Sequence, residues 1–231
     1  MKYEVEEEGI KYKVEYLGEN YSNDYMTYKV IILGSFGVGK TTIIKKLTSE
    51  EIDNEYLPTI SADIKNIQIK VNDKIIQIQF WDTCGNEQFI EKTPNLFKNI
   101  SATILVFAID DKNSFNAIEK WYNVLKNYSF DNIIFLIGNK IDANKEREVK
   151  KEEGEEIKNK YSNIKMFFET SCILDNNIDL LFGNISISLF KKNEIFEKKV
   201  DNALTKTFTI TLQDNLSKNK EQKIKKKKCC S

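Results

Sequence analysis

The sequence predicts an α/β fold of three layers, with a mostly parallel six-stranded sheet and one antiparallel hairpin at its edge. Three observations carry that expectation. Short, almost wholly apolar runs alternate with segments of helical period, and strands this apolar need covering on both faces. One pair of runs is separated only by Asn72-Asp73, a turn suited to an antiparallel hairpin. A glycine-rich loop joins the first core strand directly to the first helix.

Tyr28–Leu33 is the first core strand, and Thr41–Thr48 follows as a helix with Ile43, Ile44 and Leu47 on one face. Ile64–Val71 alternates around Ile67, Ile69 and Val71 before turning into Ile75–Phe80. Strand and helix then alternate: Ala102–Ile109, helix Ser114–Tyr128, Ile133–Ile137, helix Lys150–Lys160, Met166–Glu169 and helix Ile178–Lys191. With 41% apolar and 30% charged residues, the 231-residue chain is globular in composition. Formal net charge is +0 but segregated, acidic at Glu4, Glu6, Glu7 and Glu8 and lysine-rich at the other end. The four cysteines do not suggest disulfides, since two are internal and two adjacent at the terminus. No stretch reads as a signal peptide or membrane span.

Three regions follow. Residues 1–26 form a charged extension in which Ile10, Tyr12, Val14 and Tyr16 alternate with polar residues. Both a loosely attached tail and an added strand fit that pattern. Residues 27–195 form the core domain. Residues 196–231 form a hypervariable polybasic tail, which from Leu204 to Lys228 turns polar with a short apolar alternation at Phe208, Ile210 and Leu212 and reads as a flexible spacer.

Gly34 to Thr41 reads G-S-F-G-V-G-K-T between a strand and a helix, the phosphate-cradling P-loop in its proper setting. Backbone N–H groups around Phe36, Gly37, Val38 and Gly39 face phosphate oxygens, joined by the start of the helix at Thr42. Lys40 reaches the β- and γ-phosphates, and Thr41 is placed to ligate Mg²⁺. Asn139-Lys140-Ile141-Asp142 follows another buried strand, where ligands bind in doubly wound sheets. Asp142 accepts hydrogen bonds from the N1–H and 2-amino groups of guanine; adenine offers neither, leaving the carboxylate desolvated and unpaired. Thr59 follows Tyr56-Leu57-Pro58, Asp82 and Gly85 end the run from Ile75, and Thr170-Ser171-Cys172 closes the strand at Phe168.

Together these five elements resemble the Ras superfamily of small GTPases, over about residues 28–190. The Trp81-Asp82-Thr83 start of the second switch and the lysine–cysteine ending look most like its Rab branch. The resemblance implies a Ras-like G domain that binds GTP and GDP with Mg²⁺. Thr41, Thr59 and, through water, Asp82 would hold the metal, while Gly85 N–H and Tyr56 approach the phosphates. Ser171, Cys172 and Ile173 would brace the guanine ring. Lys40, Thr59, Gly85 and Asn86 would carry hydrolysis. It also implies a monomeric switch with exchange factors, activating proteins, Rab escort and GDP-dissociation-inhibitor-type proteins, and trafficking effectors.

The ending Lys-Cys229-Cys230-Ser231 is not a C-a-a-X box. It resembles double-cysteine endings that carry two geranylgeranyl groups, and two lipids hold a bilayer where one binds reversibly. Lys223 and Lys225 to Lys228 add roughly 1 kcal/mol each near an anionic leaflet. The expected location is the cytoplasmic face of an intracellular or plasma membrane, with a cytosolic pool. A solvated basic tail with incidental cysteines is the alternative. Nucleic acid is not expected, because no basic stripe crosses the domain.

Departures from the family pattern predict slow hydrolysis. Asn86 stands where a water-positioning glutamine is usual, shorter by about 1.5 Å. Phe36 crowds the γ-phosphate side, and Ile52 replaces an aromatic expected to stack on the base. The effector-facing positions Ile64 and Leu96 have lost their aromatic rings, and Ser61 and Gln88 depart from the usual signatures. Two other classes stay open: a GTP-binding module controlled by exchange or expression, and a P-loop kinase or ATPase, which Asp142 disfavours.

Overall fold

The computed structural model describes residues 2–19, 25–51, 59, 62–86, 93–128, 132–143, 146–196 and 198. Tyr56, Cys229, Cys230, Ile52, Ser61, Gln88 and the terminal lysines lie outside the described residues. The chain divides into Met1–Phe190 and Lys191–Ser231, and the second unit contributes only helical residues 191–196 and 198 to the description.

Eight strands form one sheet among the described residues, in the order β1-β2-β4-β5-β3-β6-β7-β8. The core run is β3 (Thr27–Leu33), β6 (Ile100–Ala108), β7 (Ile133–Asn139) and β8 (Ile164–Thr170), parallel throughout. On its other side β3 pairs in parallel with β5 (Lys74–Thr83), which turns antiparallel onto β4 (Ala62–Val71) as expected. The strand count corrects the expected six. Two more come from the N-terminal extension: β1 (Lys2–Glu7) and β2 (Ile10–Gly18) form an antiparallel hairpin, and β2 pairs with β4. The charges that suggested a solvated tail are matched across the hairpin. Lys2 lies opposite Glu15, Glu4 opposite Lys13 and Glu6 opposite Lys11, and opposite charges in such pairs stabilise a ladder.

Helices cover both faces. α1 (Lys40–Leu47) buries Ile43, Ile44 and Leu47. The segment expected as one helix forms two, α2 (Lys112–Asn116) and α3 (Ile118–Tyr128), meeting at Ala117. α2 starts before Ser114 because the Asp111 carboxylate caps it, accepting from Asn113 N at 3.0 Å and Ser114 N at 3.2 Å. α4 spans Lys151–Lys160, and α5 occupies 178–190.

The hairpin changes what α5 is. Every residue from 181 to 190 is buried, as expected of a helix enclosed all round rather than lying on a surface. Its polar residues bond within the helix: Ser186 Oγ donates to Phe182 O at 2.8 Å and Ser188 Oγ to Asn184 O at 2.7 Å. Tyr3 of β1 meets Phe182 with ring centroids 5.6 Å apart, and Tyr12 of β2 meets Phe190 edge-on at 6.1 Å. Glu7 of β1 pairs with Lys165 of β8 at 2.6 Å. The two outermost strands of the sheet therefore approach each other around α5.

Candidate functional site

The loops at the carboxyl ends of β3, β5, β7 and β8 converge, and nearly all the described residues that the motifs single out lie there. The P-loop leaves β3 and enters α1 through Gly39, whose φ of 96° lies in the left-handed region. A Cβ there would also stand 2.4 Å from Asn139 Nδ2. Glycine is required at this position on both counts. The resulting cavity is lined by Phe36, Gly37, Gly39, Lys40, Thr41, Thr42, Thr59, Thr83 and Cys84. Val38 is buried beneath it, while Phe36 is 59% exposed at its lip.

Lys40 is only 5% exposed, and its ammonium donates to Ser35 O at 2.8 Å. Burial pulls its pKa down to about 8, the neighbouring Asp82 charge only partly opposing the shift. A buried cation so weakly compensated is complementary to an anion such as a phosphate.

Opposite stands a cluster of oxygens. Thr41 Oγ1 donates to Asp82 Oδ2 at 2.6 Å, Thr59 Oγ1 donates to the same oxygen at 3.2 Å, and the two hydroxyls are 3.1 Å apart. Asp82 is 4% exposed, and burial raises its pKa despite both hydroxyl donors. Its other oxygen, Oδ1, is buried with no hydrogen-bond partner. Hard oxygen donors with one orphaned carboxylate oxygen suit Mg²⁺, which is held by one or two carboxylates and phosphates rather than an all-protein cage. No cluster of three His, Cys, Asp or Glu side chains exists among the described residues. Thr41, Thr59 and Asp82, expected as the metal set, are thus brought together.

Gly85 closes the cavity from the β5 side. Its φ is 74°, and a Cβ would lie 2.5 Å from Lys40 Nζ and 2.9 Å from Phe36 N. That close approach presses the loop after β5 onto the P-loop. Asn86, one residue on, is exposed.

The second pole forms at the ends of β7 and β8. Asn139, 3% exposed, donates through Nδ2 to Val38 O at 2.9 Å and accepts from Thr170 Oγ1 at 3.0 Å. One amide therefore joins three loops. Lys140 takes a left-handed φ of 70°, turning the chain so that Asp142 reaches Ser171 Oγ, its hydrogen-bond donor. That hydroxyl accepts from Leu174 N at 2.9 Å, fixing the loop holding Cys172 and Ile173. Cys172 is buried, and desolvation pushes its thiol up to about 12, so it packs as a small apolar group. Ile173 is 75% exposed.

Sequence reasoning assigned no role to Ser35, whose carbonyl takes the Lys40 ammonium, or to Thr83 and Cys84, which line the cavity. Their positions inside the P-loop and the Asp82–Gly85 motif were the available signals. Nor did it assign the joining role of Asn139, which depends on register: Asn139 stands opposite Thr170 across β7 and β8.

Comparison with known proteins agrees with this geometry. The family model described as the Ras family matches residues 29–191. The Ras-related protein Rab-11B of Dictyostelium discoideum is 32% identical over 201 residues, covering 85% of this chain and 84% of its own. The Ras-related protein Rab-13 of Mesocricetus auratus is 32% identical over 167 residues, 72% of this chain and 81% of its own. Its counterpart in Canis lupus familiaris is 33% identical over the same shares.

Proposed function

Because this chain belongs to the Ras superfamily of small GTPases, in its Rab branch, we propose that it is a membrane-anchored GTP/GDP switch that recruits effectors in vesicle trafficking and hydrolyses GTP slowly. The observation that carries this reading is the pair of poles: a buried Lys40 ammonium at one end of the cleft and the Asp142 carboxylate, oriented by Ser171, at the other. A guanine nucleotide satisfies both.

Each residue then has a task. Lys40 and the P-loop N–H groups hold the β- and γ-phosphates, Gly85 N–H meets the γ-phosphate, and Asp142 reads guanine. Thr41 and Thr59, with Asp82, would hold Mg²⁺, which would supply positive charge to offset the negative charge developing in phosphoryl transfer. Thr59 bonds to Thr41 and Asp82 directly, and a γ-phosphate with its metal would tighten that hold, so loss of the phosphate would loosen it. Effectors would read the surface near Ile64, 39% exposed, and Trp81, its cross-strand neighbour. Leu96, expected beside them, is 5% exposed and contributes little surface.

Slow hydrolysis rests on Asn86 and Phe36: a short amide orients the attacking water poorly, and the Phe36 ring stands at the cavity lip where an arginine from an activating protein would enter. Exchange factors, escort proteins and GDP-dissociation-inhibitor-type proteins would complete the cycle. Two geranylgeranyl groups on Cys229 and Cys230, with the basic residues before them, would hold the protein to the cytoplasmic face of a membrane. No helix among the described residues is long and apolar enough to cross one.

Calorimetry with GDP, GTP and ATP in Mg²⁺ tests the reading, using the parent protein and Asp142→Ala. The parent should bind guanine nucleotides and ignore ATP, and the variant should lose about 100-fold in GDP affinity. Equal affinity for ATP and GTP would reject it. Imaging beside Cys229/Cys230→Ser tests the anchor, the expected result being loss of the membrane pattern.

A further inference from the structure

A tyrosine of the N-terminal hairpin is bonded to the end of the helix that follows the phosphate loop. The Tyr16 O–H donates to Thr48 O at 2.8 Å. Thr48 is the C-cap of α1, where carbonyls lack intrahelical partners. The β2–β4 ladder slips directly after this tyrosine, with Tyr16 opposite Ile69 and Gly18 opposite Gln68. Leu17 is thus the additional residue of a bulge, a device that re-aims side chains.

The contact continues beyond Thr48. Its hydroxyl donates to Glu50 at 2.6 Å, and Lys65 of β4 pairs with the second oxygen of Glu50 at 3.1 Å. Hairpin, α1 and β4 are therefore joined through Tyr16, Thr48, Glu50 and Lys65. Thr59 lies in sequence between Glu50 and Lys65, and its hydroxyl belongs to the oxygen cluster with Thr41 and Asp82. Both flanks of the segment that delivers Thr59 are pinned to each other and to the hairpin. Holding the ends of a loop together removes closure entropy that the site would otherwise oppose.

Resting on the GTP-switch reading above, we propose that Tyr16 is a positioning residue for the nucleotide site: it fixes the Thr48–Glu50–Lys65 base so that Thr59 stays at the metal in the GTP-loaded protein. The N-terminal hairpin thereby governs how long the triphosphate is retained. Tyr16→Phe removes only the O–H, and Lys65→Met breaks the far end of the same base, so neither needs the hairpin deleted from the α5 cover.

The test is release of fluorescent GDP and of a non-hydrolysable fluorescent GTP analogue from the full-length protein, in Mg²⁺ and again in EDTA. Each variant should release the analogue about three- to tenfold faster in Mg²⁺ and change GDP release less than about twofold. In EDTA the variants should match the parent, because Thr59 acts only through the metal. Unchanged analogue release, equal acceleration of both nucleotides, or a difference persisting in EDTA would overturn the proposal and leave the switch reading standing. A parent protein that binds no guanine nucleotide would overturn both.

Discussion

The cleft formed by the P-loop and its neighbours and the enclosure around α5 are both buried, yet they treat charge in opposite ways. At α5, Glu7 and Lys165 are paired at 2.6 Å, and the serines bond to backbone one turn away. In the cleft, the Lys40 ammonium bonds to the neutral Ser35 carbonyl and the Asp82 carboxylate to two hydroxyls, so among the described residues neither charge meets its opposite in an ion pair. Burying charge without compensation costs stability. The contrast teaches that the α5 enclosure neutralises its buried charge within the fold, whereas the cleft leaves that task open to a charged ligand.

The sharpest way to break this comparison is Lys40→Ala. It should weaken GTP binding by about 100- to 1,000-fold in calorimetry, since a buried charge–phosphate contact is lost. The nucleotide-free variant should melt no lower than the parent. Phe182→Ala acts in the other region, where removal of a buried ring costs about 3–5 kcal/mol of unfolding free energy by denaturant titration. Nucleotide affinity of the fraction still folded should be unchanged. A smaller effect is expected from Asn86→Gln, about tenfold faster single-turnover GTP hydrolysis at unaltered affinity. Ordinary turnover in the parent would refute the slow-hydrolysis reading.

The smallest effect is a pH trend. Lys40 and Lys29 both have folded pKa values lowered to about 8 by burial, below the ordinary 10.5. Between those values the unfolded chain binds more protons, so stability rises with pH and is lost as pH falls through about 8. The melting temperature of the nucleotide-free protein should therefore climb from pH 8 toward pH 10. Above that, Tyr3 and Tyr16, whose pKa values burial raises, oppose the gain. Bound nucleotide should flatten the Lys40 part of the trend, because phosphate restores the charged form.

What the sequence disclosed follows the same division. The grouping of Lys40, Thr41 and Asp82 was legible because their motifs sit at strand ends that the fold brings together, and Asp142 falls at the end of a neighbouring strand for the same reason. The core strands were legible because β3, β6 and β7 are nearly unbroken apolar runs. The hairpin was only half legible. Val14 and Tyr12 alternate as a strand should, but Glu4, Glu6, Lys11 and Lys13 look like solvated charges until β1 and β2 are placed side by side. Asn139 was assigned to guanine recognition, while its bonds to Val38 and Thr170 emerged only from the tertiary arrangement.

The enclosure of α5 also sets an order of assembly. During synthesis the hairpin leaves the ribosome about 160 residues before the helix it must cover, a delay on the order of ten seconds. Until α5 emerges, Tyr3 and Tyr12 lack the Phe182 and Phe190 rings that they meet in the finished fold. The beginning and end of the domain must therefore fold together as its last event, and nascent chains stalled before residue 178 should be the ones that chaperones hold.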